Sequence, residues 1–298
     1  MPFIVKKDDL VSMKVDAIVN ASNIKLSMVE GVGRAIFHKA GDRELSMCCK
    51  KIGHCNVGDA VLTPSFKMEN CKGIIHAVGP IYINGKHGEE KNLMSTYNKC
   101  LDIALKNDFK TIAFPLLSGE FNYPLKDCYL VAEHSISTFL KKHTDFVAYL
   151  IMYKNFPEFF NEEEQQNLTT YIINNQTFNL VNSNKNDFLT LLKEDIEKKK
   201  IPLNELSYKA NIREEYLNNI LNDSVNDIEK NDIISIGVAL ELNKQELNDL
   251  LVSKGFKLED NFIPDLIVCF YLDSKNYNIF DINRALFKYN YASLGNDR

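Results

Sequence analysis

The sequence predicts an α/β domain followed by a smaller all-α domain, and three observations carry that prediction. Apolar runs alternate with helical patterns over the first 155 residues. Those runs are continuous rather than alternating, which means strands buried on both faces, as in a sheet sandwiched between helices. From about Phe188 onward only helical periodicity remains. With 298 residues there is room for two cores of ordinary size.

Six segments read as strands: "FIVKK", "VDAIVNA", "DAVLTPSF", "GIIHAVGP", "TIAFPLL" and "FVAYLIMY". Between them "GVGRAIFHKAGDRELSMCCKK", "EEKNLMSTYNKCLDIALKN" and "DCYLVAEHSISTFLKKH" repeat apolar residues at i, i+3 and i+4, the mark of helices with one buried face. Strands joined through helices imply right-handed crossovers and a mixed, mostly parallel sheet in three α/β/α layers. The segment 161–187 is rich in Asn and Gln and poor in core periodicity. The expected organisation is therefore an α/β domain over 1–180, a linker over 181–187 and an all-α domain over 188–298.

Net charge is −5, with the excess acid in the second part. Such a chain has no general pull on nucleic acid or anionic membrane. No run is long and apolar enough to span a bilayer. "MPFIVKKDDL" lacks a basic-then-apolar leader, and seven scattered cysteines fit reduced thiols, so a cytoplasmic protein is expected. Cys48, Cys49, His54 and Cys55 match no common zinc spacing, and neither metal nor cofactor is expected.

In an open parallel sheet ligands bind beyond the carboxyl ends of the strands, where loops meet helix N-termini. The polar features of the first domain gather there: Asp9, then Asn20 and Asn23 with Gly31 and Gly33, then "SGEFNYP" (118–124), then Tyr153. Two loop-to-helix junctions supply amides for a diphosphate. Asn suits a ribose hydroxyl pair, and Asp accepts from an exocyclic amine such as adenine's. An aromatic ring offers a face to a base or sugar. Each feature also has a plain structural use as a cap or turn. His38 is expected to pack, and His76, inside a strand, to be a hydrogen-bonded core residue.

"VDAIVNASN…GVGRAIFHKAG", "GIIHAVGP" and "IAFPLLSG…YP" resemble the macrodomain, an ADP-ribose-binding module, over about residues 1–160. The resemblance implies that Asp9 contacts adenine and Asn23 the distal ribose, with Leu10 and Asn20 also counted as candidate ligand-binding residues. It implies further that Glu30, Gly31, Val32 and Gly33 wrap the diphosphate and distal ribose together with Ser118, Gly119, Glu120 and Phe121, and that Tyr153 lies beside adenine. In the hydrolytic members the loop reads Gly-Gly-Gly-Val-Asp, and that Asp assists catalysis. Here Gly33 stands at its place, ten positions after Asn23, and cannot act as a base. Glu30 and Glu120 are the candidate substitutes. Binding is thus the expected function, with ADP-ribosyl or O-acyl-ADP-ribose hydrolysis as the alternative.

In the second part, "LNELSYKANIREEYLNNILND" resembles the lambda-repressor-like helix-turn-helix, with Leu206 and Ala210 in the first helix, a turn at Asn211 and the second helix from Arg213. A DNA-binding regulator sensing an NAD-derived metabolite is a further alternative. However, Glu214 and Glu215 at the head of the recognition helix would meet phosphates head-on. A protein-contact module is expected instead.

Overall fold

The computed structural model describes residues 2–119, 122–152, 162–174, 187–225 and 227–295. It divides into two compact units, one spanning Phe3–Pro157 and the other built on Glu158–Arg298.

The first unit holds β1 (Phe3–Lys6), a 3-10 turn (Leu10–Ser12), β2 (Ala17–Ala21), α1 (Val32–Ala40), α2 (Asp42–Ile52), β3 (Asp59–Pro64), β4 (Gly73–Val78), α3 (Glu89–Lys106), β5 (Thr111–Pro115), α4 (Leu125–Leu140) and β6 (Val147–Ile151). The strands form one sheet in the order β1-β6-β5-β2-β4-β3. Every adjacent pair is parallel except β3 with β4, which is antiparallel at the edge. Residues of α1 and α2, including Ile36, Phe37, Leu45 and Cys49, share a core with Ile18, Ile74 and Val78. On the opposite face Tyr97 of α3 packs on Phe114, ring centroids 5.3 Å apart. The single helix expected over 31–51 is in fact two, because Gly41 adopts φ +100° and breaks the ladder between α1 and α2.

One carboxylate organises the amino ends of the strands. Asp16 accepts from the Lys110 amide at 2.7 Å and the Thr111 amide at 3.0 Å, at the start of β5. Its own carbonyl accepts from the Lys72 and Gly73 amides at the start of β4. Strands β2, β4 and β5 are therefore pinned together at one end, which leaves the other free to separate.

The second unit contains α5 (Glu162–Asn174), α6 (Phe188–Lys199), α7 (Leu203–Lys209), α8 (Glu214–Leu221), α9 (Lys230–Ala239), α10 (Lys244–Ser253), α11 (Ile263–Asp273) and α12 (Ile279–Lys288). The division between units thus falls well before the boundary expected at 180. The physical reason is Leu168 of α5, which is buried in the helical core beside Phe188, Leu192 and Leu206. Of the expected linker, 181–186 lies outside the described residues. Helices α7 and α8 are joined by a turn in which Asn211 has φ +56°. Among the described residues no helix is long and apolar enough to cross a membrane.

Candidate functional site

The sheet opens where its connections part. Strands β2 and β4 keep five registered pairs and β5 and β6 keep five, but β2 and β5 keep only Ala17–Ile112 and Ile18–Ala113. Beyond Ile18 and Ala113 the two central strands diverge. The chain leaves β2 toward β3 at one edge and leaves β5 toward β6 on the other side. That is a topological switch point, and it places a crevice between the loop after β2 and the loop after β5.

The β2 loop delivers the N-terminus of α1. Gly31 is its N-cap, with φ +74° and no side chain to cap, and the first helical bond runs from the Ala35 amide to the Gly31 carbonyl at 3.2 Å. The amides of Val32, Gly33 and Arg34 therefore head the helix as donors. Asn23 is half-buried, and its Oδ1 accepts from the Lys25 amide at 3.0 Å and the Ser27 amide at 3.2 Å, while Nδ2 lies 2.8 Å from Ser27 Oγ. The loop is thus folded around that amide side chain.

The β5 loop carries Ser118, 3% exposed with φ +63°. It packs against Gly79 at the end of β4, where a Cβ would fall 2.4 Å from Ser118 Oγ. Glycine at 79 is what lets the two loops meet. The next loop, after β4, is held by Glu89, whose Oε1 accepts from the Ile83, Asn84 and Gly85 amides at 3.2–3.3 Å and whose Oε2 accepts from His87 at 2.6 Å. Burial opposes the charge on Glu89, but these amides outweigh it and hold the carboxyl at about 2. The same loop sets Tyr82 against Tyr123, centroids 4.8 Å apart.

At the β1 end Asp9 is exposed and caps the 3-10 turn, accepting from the Val11 amide at 3.2 Å, and Leu10 is buried. Asp9, Asn23, Gly31–Gly33 and Ser118–Gly119 thus all follow carboxyl ends of strands β1, β2 and β5, which run in the same direction in the sheet. Glu120, Phe121 and Tyr153 lie outside the described residues.

Asn20 is a correction. It belongs to β2 itself, not to the loop, and points into the α1/α2 layer, 1% exposed, with Nδ2 3.0 Å from His76 Nδ1. His76 Nε2 in turn lies 3.0 Å from Thr63 Oγ1. Burial lowers the imidazole to about 4, so His76 is a neutral core residue. Among the described residues Asn20 Oδ1, Ser22 Oγ and Ser118 Oγ are buried polar atoms without a hydrogen-bond partner.

The macro domain family model matches residues 19–132. The O-acetyl-ADP-ribose deacetylase of Salmonella typhimurium is 40% identical over 140 residues, which cover 45% of this chain and 77% of that protein. The chain belongs to the macrodomain family. A macro domain-containing protein of Mesorhizobium japonicum is 38% identical over 135 residues, 45% of this chain and 76% of that protein. Among solved structures, the Oceanobacillus iheyensis macrodomain with ADP aligns with a TM-score of 0.47 and 26% identity, over 57% of this chain and 90% of that one.

Two readings of the macrodomain loop need amending. His38 does not pack: it is exposed, with Nδ1 2.7 Å from Asp42 Oδ2 and Nε2 accepting from Arg34 Nε at 3.2 Å. Glu30 turns outward, its side chain 85% exposed and paired with Arg34 at 3.2 Å, so it does not face the crevice as a base. Gly33 is confined instead: a Cβ there would lie 3.3 Å from Asn20 Oδ1 and 3.4 Å from Val29 Cβ. Burial pushes the thiols of Cys49 and Cys55 up to about 11, which makes them core groups rather than nucleophiles. The contacts of Gly79, Tyr82 and Glu89 in the loops beside the crevice, and the Glu30–Arg34 pair, were not anticipated from the sequence. Only the i, i+4 spacing of Glu30, Arg34, His38 and Asp42 could have signalled one of them.

Proposed function

We propose that the macrodomain unit binds ADP-ribose, or molecules that carry it, along the carboxyl edge of the sheet. The observation that carries this is the opening between β2 and β5, flanked by an uncapped helix N-terminus on one side and the Ser118 loop on the other. Adenine sits at the β1 end, where the Asp9 carboxylate accepts from its exocyclic amine. The diphosphate lies across the opening, on the amides of Val32 and Gly33 and of the loop at Ser118–Gly119. The distal ribose reaches Asn23, whose amide exchanges its contact with Ser27 Oγ for a sugar hydroxyl.

The deacetylase relatives favour a second reading, hydrolysis of O-acyl-ADP-ribose. Against it, the position that supplies an acid in hydrolytic members is Gly33, and Glu30 is directed outward. We therefore place binding first. We also propose that the helical unit is a protein-contact module, because the head of α8 presents Glu214 and Glu215 rather than a basic face.

Calorimetric titration of the full chain with ADP-ribose tests the first reading: micromolar or tighter binding, weakened in Asn23→Ala, is expected. A folded protein that gives no heat at millimolar ligand refutes it. Release of acetate from O-acetyl-ADP-ribose would establish the second.

A further inference from the structure

Among the described residues the two most exposed large apolar side chains are Ile83 and Ile81, at 68% and 66%, and both belong to the loop after β4. Tyr82 between them is packed: its ring lies on Tyr123, centroids 4.8 Å apart, and its hydroxyl is 3.2 Å from the Cβ position of Gly85. The Glu89 carboxylate closes the loop on itself by accepting from the Ile83, Asn84, Gly85 and His87 amides. An apolar pair on a loop held this firmly is displayed to solvent, and such display marks a contact surface. The place of the loop says what would cover it. Strands β1, β6, β5, β2 and β4 run parallel and end along one edge of the sheet in that order. With adenine at Asp9 after β1 and the distal ribose at Asn23 after β2, a ligand laid along that edge points its far end toward the loop after β4. Gly79, at the base of this loop, already meets the wall of the cleft at Ser118.

We propose that Ile81 and Ile83 form a second contact surface, outside the nucleotide cleft, which holds apolar side chains of a polypeptide next to its ADP-ribosylated residue and so selects carriers by their sequence. The inference rests on the ADP-ribose reading of the cleft. A group attached through the distal ribose leaves the cleft on the β4 side, so its neighbouring residues come to this loop. The chemistry of the loop then chooses among carriers. An aliphatic pair with exposed Asn84, Lys86 and His87 in the same loop has the apolar centre and polar rim of a protein interface. A nucleic-acid carrier calls instead for open aromatic faces and clustered cations. Here the Tyr82 ring is engaged by Tyr123, and the exposed Glu90 stands next to Lys91. Because the loop is already fixed by Glu89, covering the isoleucines costs little further ordering.

The test is calorimetry on the full chain and on the Ile81→Ser/Ile83→Ser double variant, with melting curves as a check of folding. The probes are free ADP-ribose and two peptides that each bear one ADP-ribose through a non-cleavable link, one flanked by leucines and the other by serines. Covering part of two isoleucines adds about tenfold in affinity once ordering costs are met. The parent should therefore bind the leucine-flanked peptide about tenfold tighter than the serine-flanked one, and the double variant should bind the two alike. Free ADP-ribose should bind parent and variant equally. If the parent binds free ADP-ribose but shows no preference for leucine flanks, or if the preference survives in the double variant, the inference alone fails. An ADP-ribosylated oligonucleotide that outbinds both peptides, or a parent dimer that the double variant dissolves, would give the loop to another partner and overturn it as well. If the folded parent gives no heat with any probe, the reading of the cleft fails and takes the inference with it.

Discussion

Gly79→Ala is the substitution that most directly tests how the loops after β4 and β5 are joined. The new Cβ falls 2.4 Å from Ser118 Oγ, but 3.7 Å from Ser118 Cβ and 3.8 Å from Leu93 Cδ1, so a single atom causes the conflict. Ser118 is buried with φ +63°, and its hydroxyl has little room to turn. Overpacking of this kind costs about 1–3 kcal/mol. For a unit of this size that lowers the melting temperature by about 2–12 °C. Ser118→Ala removes the colliding oxygen, and with it a buried hydroxyl lacking a partner among the described residues. Alone it should leave stability unchanged or slightly higher, since an unsatisfied buried group costs about 1–3 kcal/mol. The double variant should then melt within about one degree of Ser118→Ala, a strong departure from additivity. Calorimetry of the full chain measures this, with the relevant transition identified by its upward shift in ADP-ribose. Affinity for ADP-ribose should fall in Gly79→Ala and recover in the double variant, because the displaced loop carries the donors. Parent-like melting of Gly79→Ala, or additive effects in the pair, would refute the packing argument.

Other outcomes follow from the same geometry. His76 has a folded pKa of about 4 against an ordinary value near 6.5, so the unfolded chain binds the extra proton. Stability should fall as pH drops from about 6.5 toward 4, by up to about 3 kcal/mol, and His76→Gln should flatten that slope in urea melts. Glu89 has a depressed pKa of about 2, so its contribution is complete above the ordinary glutamate value and lost as pH falls toward 2. Glu89→Gln should abolish that acid sensitivity and speed hydrogen exchange at Ile83, Asn84, Gly85 and His87. Duplex DNA should not be retained in a mobility-shift assay even at low salt, because the head of α8 is acidic; salt-sensitive retardation would overturn that expectation.

What could be read from the sequence was what depends on local pattern. The continuous apolar runs at Gly73–Val78 and Val147–Ile151 proved buried along their whole length, as a sheet covered on both faces demands. What escaped depended on register or on loop path. Asn20 lies inside the expected strand, yet it was grouped with the loop residues; which face of the strand it occupies depends on register, and it turns inward to His76. The separation of β2 from β5 is a matter of pairing between segments about ninety residues apart, which no window contains. His38 was misplaced by neighbouring on Phe37. A step of one residue rotates a helix by about 100°, enough to bring His38 to solvent beside Arg34. Glu89 gave no signal at all, because its carboxylate is satisfied only once residues 83–87 curl around it.

The loop Val29–Gly33 separates two demands that a glycine-rich version merges. Only Gly31 adopts a positive φ there, so only Gly31 is required by the backbone. Gly33 is crowded by its neighbours, since Asn20 and Val29 stand 3.3 and 3.4 Å from where its Cβ would be and would have to give by a few tenths of an ångström. Residue 30 is under neither demand, and its side chain turns outward to Arg34 rather than toward the helix mouth. The replacements at 29 and 30 therefore leave the amide donors of α1 in place while the acid at 33 is lost. An acid restored at 33 alone would push against Val29 and against a buried carbonyl oxygen of the same polarity. The amide donors of α1 are thus present without an acid at 33, which supports the binding that we propose for the cleft.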